Sequence, residues 1–209
     1  MDYFKIEHIF FRFLDYEVSH LEFWSILSGY IAVYLAARNN KLTWPVAILN
    51  AILLFGLFFQ FQLYADMFLQ IYFFCIAIYG WFKWKGQRST QIKILGLRQK
   101  IFLLVCMALL WPSLAELVAN LHLFFPTFFT QPAAYAYADS LIMLLSIVAQ
   151  FLLTKRIMEN WYLWIAVNLL GIAVYGLKGM LLLSIQYVVF LVLAIIGTIE
   201  WRKALANKY

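Results

Sequence analysis

Trp161, Trp164 and Asn168 lie at i, i+3 and i+7 in the apolar run Trp161-Tyr-Leu-Trp164-Ile-Ala-Val-Asn168. In a helix this spacing puts two indoles and one carboxamide on a single face, and Gly171 and Tyr175 continue the stripe. An unpaired amide in hydrocarbon is costly, so Asn168 is expected to face protein or a water-filled cavity. Two flat π faces beside a group that donates and accepts hydrogen bonds suit an aromatic ligand with hydroxyls. The pattern reads as the substrate wall of a small-molecule transporter.

Other polar side chains in apolar runs extend the candidate list. Asp139, Met143, Ser146 and Gln150 form one helical stripe; Asn50 is followed by Phe59 and Gln60; Gln70 precedes Phe74, Ala77, Trp81 and Trp84; and Gln186 precedes Phe190 and Gly197. Each has a structural reading too. Asn and Gln in membrane helices also bond helix to helix. Asp139 stands where a helix would start, which suits capping. Trp81, Trp84 and Trp201 fall at segment ends, where an interfacial aromatic belt is expected. The expected substrate contacts are Trp161, Trp164, Asn168, Asn50, Gln70, Gln150, Phe59 and Tyr175.

The elements that must hold these residues follow from composition. The chain is 66% hydrophobic and only 12% charged, about half the charge of a soluble domain, so a soluble fold is excluded. Seven apolar segments are long enough to cross a bilayer: 22–37, 44–61, 65–84, 101–121, 139–154, 161–177 and 180–201. The loops alternate in charge, with 13 Lys and Arg on one side against Lys5, Arg12 and Lys178 on the other. The positive-inside rule then places the N-terminus outside and the C-terminus in the cytoplasm. With its basic residues in loops, the chain gives no sign of a nucleic-acid partner.

Residues 1–21 carry a helical apolar stripe of Tyr3, Ile6, Phe10 and Phe13 and are expected to form an interfacial amphipathic helix. They lack the basic start and cleavage site of a signal peptide. Cys75 and Cys106 are expected to be buried small apolar residues.

The two halves echo one another. Leu35 and Leu152, Gly80 and Gly197, and Trp84 and Trp201 are each 117 residues apart, while Asn50 and Asn168 are 118 apart. A three-span unit copied directly would insert upside down, and one extra span between the copies restores its orientation. The expected fold is therefore an all-α integral membrane protein, a 3+1+3 bundle of parallel repeats. Residues 22–100 form the first repeat with its cytoplasmic basic loop, 101–138 a linker helix and external loop, and 139–209 the second repeat and tail. Transporters of this kind bind substrate near the midplane between repeats, where Asn50 and Asn168 would face one site.

Ionisable groups are nearly absent from the interior of the segments, and no phosphate-cradling glycine loop is present. No cofactor and no metal site is expected. Ion coupling and direct ATP use are disfavoured, which leaves facilitated diffusion. An intramembrane enzyme would need a nucleophile–base pair or metal ligands, yet His8, His20 and His122 all fall outside the segments.

These residues resemble the PnuC family of bacterial vitamin transporters, in particular its nicotinamide riboside members. The likeness rests on Glu159-Asn-Trp161-x-x-Trp164-x-x-x-Asn168, on Asp139-Ser with the Leu-Ser-Ile-Val-Ala run, and on Asn50 with Phe59-Gln60-x-Gln62-Leu-Tyr64, Leu69-Gln70-x-x-Phe73-Phe74 and Ile78-Tyr79-Gly80-Trp81. The resemblance implies a seven-span SWEET-like fold in a bacterial inner membrane, assembled as a homotrimer. It also implies uptake of nicotinamide riboside, trapped by cytoplasmic phosphorylation, with Trp161, Trp164 and Asn168 in the substrate motif and Asn50 and Gln70 joining by position. A pyridinium is a planar cation that an indole holds at about 0.5–2 kcal/mol. Its carboxamide and ribose need the donors and acceptors of Asn and Gln. Thiamine or another vitamin on the same fold is the alternative.

Overall fold

The structure, a computed structural model, describes residues 8–13, 16–61, 64–86, 91–127, 135–179 and 181–207. A short hairpin, β1 (Ile9–Phe13) and β2 (Tyr16–Ser19), precedes the helices α1 (His20–Ala37), α2 (Thr43–Gln60) and α3 (Tyr64–Gly86). After a basic stretch come α4 (Leu97–Ala119), the single turn α5 (Leu121–Phe124), α6 (Ala136–Thr154), α7 (Glu159–Leu177) and α8 (Leu181–Ala206). The long helices match the seven expected segments to within a few residues. Among the described residues, six of them (α2, α3, α4, α6, α7 and α8) are long and apolar enough to cross a membrane. The remaining one, α1, carries His20 and Glu22 in its first turn.

The N-terminus corrects the sequence reading. Where an amphipathic helix was expected, Ile9–Phe13 and Tyr16–Ser19 pair as antiparallel strands, with Phe11 opposite Val18 and Arg12 opposite Glu17. Tyr3 and Ile6, half of the expected helical stripe, lie outside the described residues. Consecutive aromatics suit a pleated surface, and an Arg12–Glu17 ion pair ties the two strands. The hairpin docks on α1 through Phe10 against Phe23, ring centroids 4.9 Å apart, and through Tyr16, whose hydroxyl donates to Glu22 at 2.7 Å. Burial, helped by the Glu22 carboxylate, pushes the Tyr16 phenol pKa up. Ser19 caps α1, its hydroxyl accepting from the Glu22 amide.

The chain divides into two units, Met1–Gln87 and Arg88–Tyr209. In the first, α2 packs on both α1 and α3; in the second, α7 packs on α6 and α8, and α4 on α6. Each unit is built around the same three residues. Trp44 is fully buried edge-on to Trp84, with ring centroids 5.2 Å apart at 85°, and Trp161 is buried edge-on to Trp201 at 5.6 Å and 88°. A Cβ on Gly80 would lie 2.6 Å from the Trp44 ring, and one on Gly197 would lie 2.6 Å from the Trp161 ring. Only glycine lets each indole rest on the neighbouring helix. Both indole nitrogens, Trp44 Nε1 and Trp161 Nε1, are buried without a hydrogen-bond partner among the described residues.

The turns repeat as well. Asn39 and Arg156 both take left-handed backbone conformations, with φ 50° and 53°. Around them the Asn39, Asn40, Thr43 and Trp44 amides bond Ala36, Leu35, Asn40 and Lys41 carbonyls, and the Arg156, Ile157, Asn160 and Trp161 amides bond the carbonyls 117 positions later. This common register corrects two expectations. Trp84 and Trp201 are not belt residues; they are buried framework. Asn50 and Asn168 are not equivalent, because the register matches Asn50 with Val167 and Ala51 with Asn168, and one residue turns a helix by about 100°.

Two further differences are local. Cys75 is exposed and Cys106 half-buried, so neither is the buried residue expected, and Cys75 sits on the outer side of α3. Before α4, the chain adds a parallel bridge to the α6–α7 turn: the Lys93 amide bonds the Arg156 carbonyl and the Met158 amide bonds the Lys93 carbonyl, both at 2.8 Å. Glu159, almost fully buried, accepts from the Leu95 amide at 3.2 Å and pairs with Lys100 at 2.9 Å. Burial lowers the pKa of Arg156 at the same turn.

Candidate functional site

Helix α7 has no basic side chain between Glu159 and its last residue, Leu177, so it offers no cation to pair with an anion. Its stripe of Trp161, Trp164, Asn168, Gly171 and Tyr175 splits into three environments. Trp161 is 1% exposed, closed in by Gly197 and Trp201, and offers no ring face to a ligand in this conformation. Trp164 is only half-buried and packs with Leu145, Leu170 and Tyr187 around the cluster of Ile142, Val167 and Val174.

Asn168 is 3% exposed and makes no side-chain hydrogen bond to another described residue, whereas the fully sealed, unpaired carboxamide atom of α7 is Asn160 Oδ1. A carboxamide with no protein partner keeps its donors and acceptor for a ligand's hydroxyl or amide. Asn50 differs. Its Nδ2 donates to the Ser25 carbonyl at 2.6 Å and to Ser28 Oγ at 3.0 Å, binding α2 to α1.

Tyr187, overlooked in the sequence, is central to the second unit. Its ring lies on Gly171, where a Cβ would be 2.6 Å from Cε1, and stacks on Tyr175 at 5.2 Å and 15°. The signal was present: Tyr187 stands 117 residues after Gln70. Tyr175 and Tyr187 thus stack as a pair, Trp164 and Tyr187 pack against the same aliphatic cluster, and Asn168 lies one helical turn from Trp164. At its far end, Lys178 pairs with Asp139 at 2.8 Å and lies over the Tyr175 and Tyr135 rings at 5.3 and 5.6 Å. Asp139 therefore binds a lysine and does not cap α6, whose cap residue is Tyr135 with no side-chain bond.

The remaining expected contacts are less engaged. Gln150 on α6 is half-buried with no hydrogen-bond partner among the described residues. Gln70 is buried, with its amide turned back to the Asp66 carbonyl at 3.3 Å. Phe59 is 59% exposed near the end of α2.

A sequence profile of the family described as "Nicotinamide mononucleotide transporter" matches residues 19–203. The chain belongs to this family. It is 29% identical to the nicotinamide riboside transporter PnuC of Escherichia coli strain K12, over 96% of this chain and 94% of that protein. It is 25% identical to the riboflavin/roseoflavin transporter RibM of Streptomyces davaonensis, over 83% and 80%. Among solved structures, the crystal structure of the vitamin B3 transporter PnuC aligns with a TM-score of 0.69 at 21% identity, covering 90% of this chain and 82% of that one. The fold is therefore that of a multi-pass membrane protein, and the relatives named are transporters.

Proposed function

We propose that this chain carries nicotinamide riboside across a bacterial inner membrane by facilitated diffusion, with α7 supplying the main recognition surface. One observation carries the reading: Asn168, which makes no side-chain bond to another described residue, stands one helical turn from the half-open indole of Trp164, on a family member whose relative of nearly equal length is a riboside transporter. The indole would hold the pyridinium, and the amide would bond the ribose or the substrate carboxamide. Trp161 shapes the helix behind them. Gln150 and Tyr175 line the same unit, and Asn50, Gln70 and Phe59 are the contacts proposed from the other. The family's description names the mononucleotide, but α6 and α7 offer no internal cation for a phosphate, which supports the uncharged ribose.

All seven long helices are proposed to span, with the basic loops and C-terminus in the cytoplasm and α4 linking two parallel three-helix repeats. Lipid surrounds a homotrimer, no cofactor takes part, and phosphorylation inside the cell makes uptake one-way. RibM supports a second reading, a flavin or other flat vitamin against the same aromatic side chains.

Titration calorimetry on the purified chain separates these readings. Riboside heat that is absent with the mononucleotide, riboflavin and thiamine is expected. Riboflavin heat without riboside heat transfers the chain to the flavin reading, and mononucleotide binding as tight as riboside binding overturns the argument from missing cations.

A further inference from the structure

Along the seam where α4 packs on α6, a shallow open groove runs from the basic end of the second unit toward the membrane-spanning surface. Its walls are Phe102 and Leu103 from α4 and Phe151 and Leu152 from α6, with Arg98 and Lys155 at its mouth. Both helices are long and apolar enough to span. Phe102 is one of the most exposed aromatic side chains of the molecule, and Phe151 is exposed beside it.

The two cations are unspent. Neighbouring Lys100 is held by Glu159, but among the described residues neither Arg98 nor Lys155 has a carboxylate partner, and Lys155 only lies over the Phe151 ring at 4.8 Å. No carboxylate lines the groove. Cations at headgroup depth, above an apolar trough leading into hydrocarbon, complement a phosphate carrying an acyl chain.

We infer that this groove is a binding site for an anionic phospholipid of the inner leaflet, its phosphate between Arg98 and Lys155 and an acyl chain along Phe102 and Phe151. The occupant bridges α4 and α6, and so holds the linker helix to the second unit. The inference uses the membrane orientation proposed above but not the identity of the substrate.

The test uses the full chain, delipidated and placed in nanodiscs of phosphatidylcholine with increasing phosphatidylglycerol, with native mass spectrometry counting retained lipid. Phosphatidylglycerol is expected to be retained about tenfold over phosphatidylcholine and to raise the unfolding temperature. Arg98→Gln with Lys155→Gln should remove that preference, whereas the matched exposed pair Lys41→Gln with Lys85→Gln should keep it. Phe102→Ala should weaken retention of both lipids. Equal retention of the two lipids, or equal loss in the control pair, overturns the inference. Inorganic phosphate alone reproducing the thermal shift would make this a free-anion site, and self-association abolished by the double variant would make it a subunit contact; either result also overturns it. Riboside binding measured alongside distinguishes these outcomes from a failure of the transport reading.

Discussion

The two three-helix units share a skeleton and differ in what their polar side chains do. Trp44, Gly80 and Trp84 in one, and Trp161, Gly197 and Trp201 in the other, make the same contacts at the same register. Glu22 and Asp139 also correspond, each occupied by a partner, Tyr16 in one case and Lys178 in the other. On the central helices the units diverge. The first uses its amide internally, Asn50 tying α2 to Ser25 and Ser28, while Asn168 in the second makes no side-chain bond to another described residue. The packing residues recur 117 positions apart, while the central amides do not share a role.

The largest expected effect tests the skeleton. Trp44→Ala and Trp161→Ala should each cost about 3–5 kcal/mol of stability by thermal unfolding in detergent. Trp164→Ala, at a half-buried position, should cost less stability than either and abolish riboside heat. A stable Trp161→Ala protein that lost only binding would return that indole to the substrate site and break the comparison. Next come the glycines: Gly80→Ala and Gly197→Ala push a methyl into an indole and should each cost about 1–3 kcal/mol, in near-equal amounts.

The amides sharpen the contrast. Asn168→Leu should reduce riboside affinity by about 10- to 100-fold, for loss of a paired polar group, with the unfolding temperature unchanged or raised. Asn50→Leu should instead cost about 1 kcal/mol of stability, since it removes two interhelical bonds. Calorimetry and unfolding on the same two proteins read both predictions. The smallest effect belongs to a feature of the second unit: Lys178→Met removes a partly exposed ion pair and should cost about 1 kcal/mol at most.

Hydropathy made the helices legible, because a bilayer crossing demands some twenty apolar residues whatever their packing. It could not separate structural from functional tryptophan. Trp161 and Trp164 share a helical face in the sequence, yet only contact with Gly197, from another helix, shows that Trp161 is buried framework. Trp44 passed unnoticed at the start of a segment, although it stands 117 residues before Trp161, the spacing shared by the glycines and the outer tryptophans. Pairing the asparagines at 118 set them one residue off the 117 register of the other pairs. The hairpin was misread because Tyr3, Ile6, Phe10 and Phe13 also fit a helical period, and cross-strand pairing such as Arg12 with Glu17 appears only once the chain has turned.

The buried tryptophan pairs also govern how the protein can be watched. Of its eight tryptophans, Trp44, Trp84, Trp161 and Trp201 are sealed from solvent, and two of them have indole N–H groups that meet no acceptor among the described residues. Indoles in such surroundings emit at short wavelength and ignore quenchers dissolved in water. They supply a steady blue background, against which Trp24, Trp81, Trp111 and Trp164 would emit at longer wavelength. A change of colour in the protein's own fluorescence when vitamin is added would then come from these four and not from the sealed pairs, and the share lost in a Trp164→Phe variant would belong to Trp164, with no label attached.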